Sequence, residues 1–159
     1  AENPSLLEIA SASLDFGKVY CRNNGILEKA VGFMKDGSLF GASKMDAGFS
    51  PLLFSLKNGI MQMKKMDVLV EDSIHFFTYG AIDLYNQSLH MILELDDKSL
   101  KNAFDLSGLD SNFVLKIPIT GFLTDPQIEQ EKSKKILSRL LQEQKKRDQS
   151  TLSKNIFKR

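Results

Sequence analysis

The feature that most restricts the fold is a series of short segments after residue 51 in which apolar and polar residues alternate. Successive side chains of a β-strand point to opposite faces, so this period of two predicts strands with one apolar face. Asn58-Gly59 supplies the positive-φ pair that a two-residue hairpin turn needs. The residues that share the apolar face are Leu52, Phe54, Leu56, Ile74, Phe76, Leu89, Met91, Leu93, Leu95, Leu115 and Ile117. The pattern therefore predicts an antiparallel β-meander.

Three positions interrupt the regular alternation. Met63 and Met66 have opposite parity within one segment, which predicts a β-bulge at Lys64-Lys65. Gly80 removes a side chain in mid-strand, which indicates a bend or a close approach of another backbone. Pro118 has no N–H to donate to a sheet, so it predicts that the last strand lies at an edge.

Helical spacing of apolar residues predicts three helices around this sheet. We expect a short helix near 25–35, a short crossover helix near 98–106 and a long amphipathic basic helix over 127–148, followed by a polar tail at 149–159. Thr124 or Asp125 would cap the long helix, with Pro126 in its first turn. Residues 1–126 would form the β-sheet domain. The predicted fold class is α+β, a curved antiparallel β-meander of at least five strands with these three helices.

The charges are divided unevenly along the chain. Residues 127–159 contain ten Lys or Arg and four Asp or Glu, a net charge of +6, and the remainder carries −5 because the whole chain is +1. A basic helix is either a solvated surface or a contact for an anionic membrane surface or a partner protein. The residues that would make such a contact are Lys134, Lys135, Arg139, Lys145, Lys146 and Arg147.

The sequence contains few residues that carry chemistry. It has one cysteine, two histidines and none of the common nucleotide-binding, hydrolase or metalloprotease motifs, so we expect neither an enzyme nor a cofactor or metal site. Basic residues and aromatic residues lie in different parts of the chain, which disfavours nucleic-acid binding. An enzyme of another class would require a polar pocket around His75, Asp67 or Asp83.

The predicted strands carry more apolar surface than the predicted helices cover. By parity, the second face of the sheet is partly apolar as well, at Leu53, Met61, Met63, Phe77 and Tyr79. An exposed contiguous apolar patch normally marks a contact with lipid, membrane or protein. Each methylene removed from water contributes about 0.8 kcal/mol, so a trough of aliphatic side chains could shield an acyl chain without any specific polar group.

Residues 49–130 resemble the C-terminal region of AsmA-like proteins of Gram-negative envelopes. The shared features are the strand leading to Asn58-Gly59, the Met66-Asp67 strand, the Gly-x-Ile-Asp-Leu element at 80–84, the strand of alternating leucines, and "IPITGFLTDP" at 117–126. The resemblance implies a periplasmic β-sheet with a hydrophobic groove, in a longer protein anchored in the inner membrane by an N-terminal helix.

Members of that family are implicated in moving phospholipids toward the outer membrane and in outer-membrane homeostasis, and the TamB-like relatives are linked to outer-membrane protein assembly. The resemblance therefore implies a non-enzymatic lipid-handling module whose apolar strand face receives phospholipid acyl chains. The alternative is a structural or interaction module in envelope assembly that binds a partner through the basic helix. A chain of this length would be the C-terminal part of a longer protein or a reduced relative.

Overall fold

The computed structural model describes residues 8–22 and 44–156, which form one antiparallel β-sheet and two helices. The strands are β1 (Ile9–Leu14), β2 (Lys18–Arg22), β3 (Lys44–Phe49), β4 (Leu52–Lys57), β5 (Ile60–Val70), β6 (Ile74–Asp83), β7 (Ser88–Asp96), β8 (Val114–Phe122) and β9 (Asp125–Ile128). The helices are α1 (Asp97–Phe104) and α2 (Glu131–Ile156). The predicted α+β class, with a curved antiparallel meander and a long C-terminal helix, is confirmed. The helix predicted near 25–35 lies outside the described residues.

The sheet has the order β1-β4-β5-β6-β7-β8-β9, and β3 pairs with both β2 and β5. The pairs Ala12–Phe54 and Lys18–Gly48 have the same register, because Lys18 follows Ala12 by six residues and Gly48 precedes Phe54 by six. β1 and β2 are thus two halves of one extended segment, and β3 and β4 are two halves of another. The two segments run antiparallel to each other. β5 is long enough to pair with both β3 and β4 along one edge.

The predicted bulge in β5 is confirmed and decides which side chains share a face. Met63 pairs with Gly80, whereas Met66 pairs with Thr78, so the register shifts by one residue between them. Directly paired residues lie on the same face of a sheet, so the bulge keeps Met61, Met63 and Met66 together. The prediction that Met61 and Met63 lie on the second face was therefore wrong, because it counted the alternation as if β5 had no extra residue at the bulge.

We call the face that carries Met63, Met66 and Leu93 the inner face and the opposite one the outer face. The inner face holds the core: Val70, Leu95 and Ile117 are fully buried there. Residues of both helices belong to the same buried cluster, including Leu100 of α1 and Leu137 of α2. The helices therefore pack on the inner face.

α1 crosses from β7 to β8 at one end of the sheet. The Asp96 carboxylate accepts a hydrogen bond from the Ser99 N–H at 2.8 Å and caps the helix. Asp105 ends it in the left-handed conformation, with φ +55° and its N–H donating to the Lys101 carbonyl. The helix predicted near 98–106 is thus confirmed with slightly earlier bounds.

α2 begins and ends later than the sequence pattern indicated. Asp125 and Pro126 belong to β9, opposite Phe122 and Gly121, because this pairing brings Ile128 beside Ile119 on the inner face. Thr124, Asp125 and Pro126 suit a tight hairpin as well as a helix start, and the packing of the partly buried Ile128 against the core favours the hairpin. The region predicted as a polar tail is helical up to Ile156, since no Gly or Pro interrupts it.

The loop after α1 is fastened to α2 by polar side chains. Gln144 accepts a hydrogen bond from the Ser107 N–H at 2.8 Å and donates to the Asp105 carbonyl at 2.9 Å. Arg147 donates to the Ser107 carbonyl at 3.3 Å. Together with the buried Leu137 and Leu140, these contacts hold α2 between Leu137 and Arg147 against the sheet and the loop after α1.

Candidate functional site

An apolar cavity of about 280 Å³ lies within the curve of the sheet on the inner face. Strands β3, β5, β6, β7 and β8 and the β8–β9 hairpin contribute its walls. Thr78 is the one lining residue with a polar side chain. The lining consists of Phe49, Met63, Met66, Val68, Phe76, Thr78, Ile82, Leu89, Met91, Leu93, Ile119, Leu123 and Pro126.

The helices do not roof this cavity. α1 contacts β6 and β7, and α2 contacts β8. No residue of either helix lines the cavity, whose walls are formed by the curved sheet and the β8–β9 hairpin. Phe49 and Leu123, which belong to opposite ends of the strand order, both reach it. The cavity is therefore a trough in the inner face beside the helix-covered core.

Gly80 shapes the centre of the trough. Its φ is +141°, and a Cβ atom added there would lie 2.3 Å from the His90 carbonyl oxygen and 2.7 Å from Met91 Cα. The backbone of β7 therefore approaches β6 more closely than any side chain allows, as the sequence predicted. This approach places Met91 directly opposite Gly80 in the cavity wall.

Four of the predicted lipid-binding residues line the trough, namely Phe76, Leu89, Met91 and Leu93. Ile74, Leu95, Leu115 and Ile117 lie on the same face but in the buried cluster that includes the helix residues. Leu52, Phe54 and Leu56 lie on the inner face of β4 and do not line the trough. The seven other residues do not line the trough, because parity identifies a face and not the part of it that stays open.

Sequence reasoning did not identify the other lining residues: Phe49, Met63, Met66, Val68, Thr78, Ile82, Ile119, Leu123 and Pro126. Met63 and Met66 could have been assigned to one face by allowing for the extra residue of the bulge in β5. Ile119 and Ile82 continue the alternation of predicted strands. Phe49 and Leu123 reach the trough only through the curvature of the sheet, for which the sequence has no local signal.

The outer face carries a buried carboxylate with three polar neighbours. Glu94 is only 4% exposed, and its carboxylate pairs with Lys65 and accepts a hydrogen bond from the Tyr79 hydroxyl at 3.0 Å. The Lys65 ammonium also lies 4.8 Å from the centre of the Phe77 ring. Burial alone would raise the pKa of Glu94, but the hydrogen bonds from Lys65 and Tyr79 and the positive charges of Lys65 and Lys116 lower it.

We expect Glu94→Gln to reduce the free energy of unfolding by about 1–3 kcal/mol at pH 7, because charge-assisted hydrogen bonds are lost at a buried site. A carboxyl group with a lowered folded pKa contributes stability above its unfolded pKa of about 4.3 and loses it as the pH falls through the folded value. The difference between wild type and Glu94→Gln should therefore shrink at pH 3. Urea unfolding at both pH values measures it.

Glu143→Gln is the matched control, because Glu143 is exposed and its Arg139 contact is 3.9 Å long. We expect that variant to differ from wild type by less than about 0.5 kcal/mol at either pH. A Glu94→Gln effect of the same size at pH 7 and pH 3 would contradict the assignment of a lowered pKa to this carboxyl group.

His75 lies between two polar side chains at the end of the sheet beside α1. Its Nε2 is 2.9 Å from Asp67 Oδ1, and its Nδ1 is 3.4 Å from Ser99 Oγ. A serine, a histidine and an aspartate thus form a hydrogen-bonded chain. Ser99 is only 2% exposed, however, and a nucleophile must reach its substrate. The geometry favours a structural role that joins β5, β6 and the first turn of α1.

The third residue considered for catalysis lies elsewhere. Asp83 is at the opposite end of β6 from His75 and accepts hydrogen bonds from the Tyr85 N–H at 2.9 Å and the Asn86 N–H at 3.1 Å. The hydrogen bonds from Asn86 lower the pKa of Asp83. Its contacts are those of a turn-forming aspartate.

All six basic residues predicted for a partner or an anionic surface lie on exposed positions of α2. Arg147 is engaged with the loop after α1, and Arg139 lies 3.9 Å from Glu143. From Lys145 onward every described residue of α2 is exposed, including Leu152 at 62% and Ile156 at 71%. Beyond Arg147 the helix thus extends away from the core.

The described part of the chain is residues 8–22 and 44–156. In that part of the chain, no helix has the length and apolar character needed to span a membrane. Nor does that part contain a group of three or more His, Cys, Asp or Glu side chains able to hold a metal ion. Comparison with known proteins found no match to the chain among protein-family models, curated proteins or solved structures.

Proposed function

We propose that this domain binds a single hydrocarbon chain in the trough of its inner face. The observation that carries the proposal is a cavity with twelve apolar lining residues and one threonine, left open by both helices. Apolar surface exposed to water is costly, and a guest without hydrogen-bonding groups removes that cost. Such a cavity suits an acyl chain whose polar headgroup stays outside.

The volume of the trough limits the guest. Small-molecule pockets of proteins measure about 300–1,000 Å³, and about 280 Å³ lies just below that range. One chain or part of one fits, and two acyl chains side by side do not. The burial of several methylenes, at about 0.8 kcal/mol each, is offset by the cost of association, so we expect affinities between roughly micromolar and millimolar.

In its broader form the proposal is a non-enzymatic module of a Gram-negative envelope protein, located in the periplasm, that handles phospholipids for transport or outer-membrane homeostasis. Its support is the resemblance to the C-terminal region of AsmA-like proteins. The elements that carry the resemblance, at 66–67, 80–84 and 117–126, contain five residues of the trough: Met66, Ile82, Ile119, Leu123 and Pro126. An apolar trough in a curved sheet is also what such a role requires.

The test is titration of the protein with monomeric dodecylphosphocholine and with dodecyl maltoside, followed by calorimetry and native mass spectrometry. We expect one chain per protein and similar affinities for both, because the headgroup lies outside. Leu123→Glu should weaken binding about tenfold, because a carboxylate replaces apolar contact at the cavity wall. Leu123 is 45% exposed, so the protein tolerates the substitution without unfolding.

The matched control is Leu53→Glu. Leu53 is 44% exposed, almost the same as Leu123, but it has the opposite parity to Leu52 and Phe54 and faces away from the trough. We expect this variant to bind both detergents as wild type does. No binding by any form, or equal losses in the two variants, would contradict the proposed site.

The alternative function is a structural or interaction module that binds an envelope partner through the basic helix. The end of α2 from Lys145 favours it, because its basic Lys145 and Lys146 and its apolar Leu152 and Ile156 are all exposed. The lipid titration separates the two functions, since the alternative requires no hydrocarbon in the trough.

A further inference from the structure

One half of β8 is an open sheet edge among the described residues. β9 pairs only with Ile119 to Phe122, whereas β7 pairs with β8 along its length from Val114 to Phe122. From Val114 to Pro118 no described strand lies on the side of β8 away from β7. An open edge exposes backbone hydrogen-bonding groups that can pair with another strand.

The direction of these groups follows from one hydrogen bond. The Glu129 N–H donates to the Pro118 carbonyl at 2.9 Å, so the backbone of Pro118 points away from β7. Backbone groups alternate in direction along a strand, so Lys116 and Val114 point the same way. Their N–H and C=O groups have no hydrogen-bond partner among the described residues. Pro118 is consistent with this parity, because its missing N–H would have pointed outward.

The predicted edge position of Pro118 is therefore only partly right. β8 has a neighbour on each side near its end and becomes an edge from Pro118 back to Val114. Pro118 lies at the point where β8 changes from a strand with two neighbours to an edge strand.

A groove of about 780 Å³ lies beside this edge. β8 forms one wall, with Val114, Lys116 and Pro118, and the first turns of α2 form the other, with Lys132, Ile136 and Arg139. A sheet edge that faces a helix across a groove is the arrangement in which an extended peptide adds a strand to a domain. The groove is separate from the trough, and its lining shares no residue with it.

The charges around the groove indicate an acidic partner. α2 carries eight Lys or Arg and three Asp or Glu, a net charge of +5. Lys116, Lys132 and Arg139 line the groove, and of its two acidic residues Glu129 already accepts a hydrogen bond from Thr120 at 3.1 Å. A second copy paired along the same edge would bring two helices of charge +5 together, which is unfavourable.

We propose that the open edge of β8 binds an extended acidic peptide segment of a partner protein by strand addition. Side chains of an added strand alternate between two faces. One set would meet Ile128 and Ile136, and the other would lie near Lys116. The segment therefore has apolar residues that alternate with Glu or Asp. This inference does not depend on hydrocarbon binding in the trough.

The test uses two labelled peptides, one of alternating valine and glutamate and one of alternating valine and lysine, with fluorescence anisotropy. We expect the glutamate peptide to bind at least tenfold more tightly. Lys116→Pro removes the outward N–H and should abolish binding. Lys116→Ala loses the same charge but keeps that N–H, so it should bind the glutamate peptide more weakly than wild type and still clearly bind it, and the difference between the two variants isolates the backbone N–H. Pro118, which has the same parity, shows that β8 accepts a proline at an outward-pointing position.

A second measurement covers the case in which Lys116→Pro does not fold. In wild type, the Val114 and Lys116 amides should exchange hydrogen rapidly when free and be protected when the glutamate peptide is added. Equal affinity for the two peptides, peptide binding without protection of these amides, or equal binding by the Pro and Ala variants would overturn the proposal. Protection that depends on protein concentration without peptide would assign the edge to a second copy and overturn it also.

Discussion

Gly80→Ala is expected to reduce the free energy of unfolding by about 3–5 kcal/mol. The φ of +141° is strained for any residue with a side chain, and the added Cβ would meet two backbone atoms of β7, the His90 oxygen at 2.3 Å and Met91 Cα at 2.7 Å. Backbone atoms cannot rotate away as a flexible side chain does. The variant must therefore separate β6 from β7 at the centre of the sheet.

Gly48→Ala is the matched control for this prediction. Gly48 also lies in a strand, but the nearest heavy atom to its added Cβ is the Leu69 oxygen at 3.9 Å, an ordinary contact. We expect this variant to be unchanged or more stable by up to about 1 kcal/mol, because alanine restricts the unfolded chain. Urea unfolding of both variants measures the contrast. Similar stabilities would show that β7 does not press on β6 as described.

The strands could be predicted from the sequence because their determinants are local. Alternation identified β4 to β8, and the Asn58-Gly59 turn has positive φ at both positions, +51° and +74°. The bulge in β5 was predicted from two methionines of opposite parity. The bulge also implies that Met61 and Met63 lie on the inner face, and the sequence prediction did not include this consequence.

The bounds of α2 could not be predicted from local signals alone. A Thr-Asp-Pro sequence starts a helix or a hairpin equally well. The choice depends on whether Ile128 pairs with Ile119, and that pairing is a tertiary contact. The helical end at 149–156 has only two apolar residues, Leu152 and Ile156, and two residues at helical spacing are too few to predict a helix.

The sequence predicted that some apolar surface of the sheet would stay uncovered, but it did not predict where. The proposition that the sheet carries more apolar surface than its helices cover agrees with a cavity that no helix residue lines. The part of the inner face that stays open depends on where α1 and α2 dock and on how the sheet curves. Leu93 and Leu95 have the same parity and type, yet only Leu93 lines the trough.

We expect Leu93→Glu to destabilise the fold by more than about 4 kcal/mol at pH 7. Leu93 is 1% exposed, pairs with Ile117 and Thr78, and lies in a wall with no cationic side chain. A carboxylate there would lose its water without gaining a partner. The control Leu53→Glu, on an exposed position of similar chemistry, should cost less than about 1 kcal/mol.

The pH dependence of this variant tests whether the trough excludes water. Burial raises the folded pKa of a new carboxyl group above its unfolded value of about 4.3, so the folded state binds the extra proton and stability falls as pH rises. Leu93→Gln has the same shape without the charge. In a dry trough the Glu variant is therefore much less stable than the Gln variant at pH 7 and approaches it at pH 5. A constant difference would mean that water reaches residue 93, and a wet trough gains far less from a hydrocarbon guest.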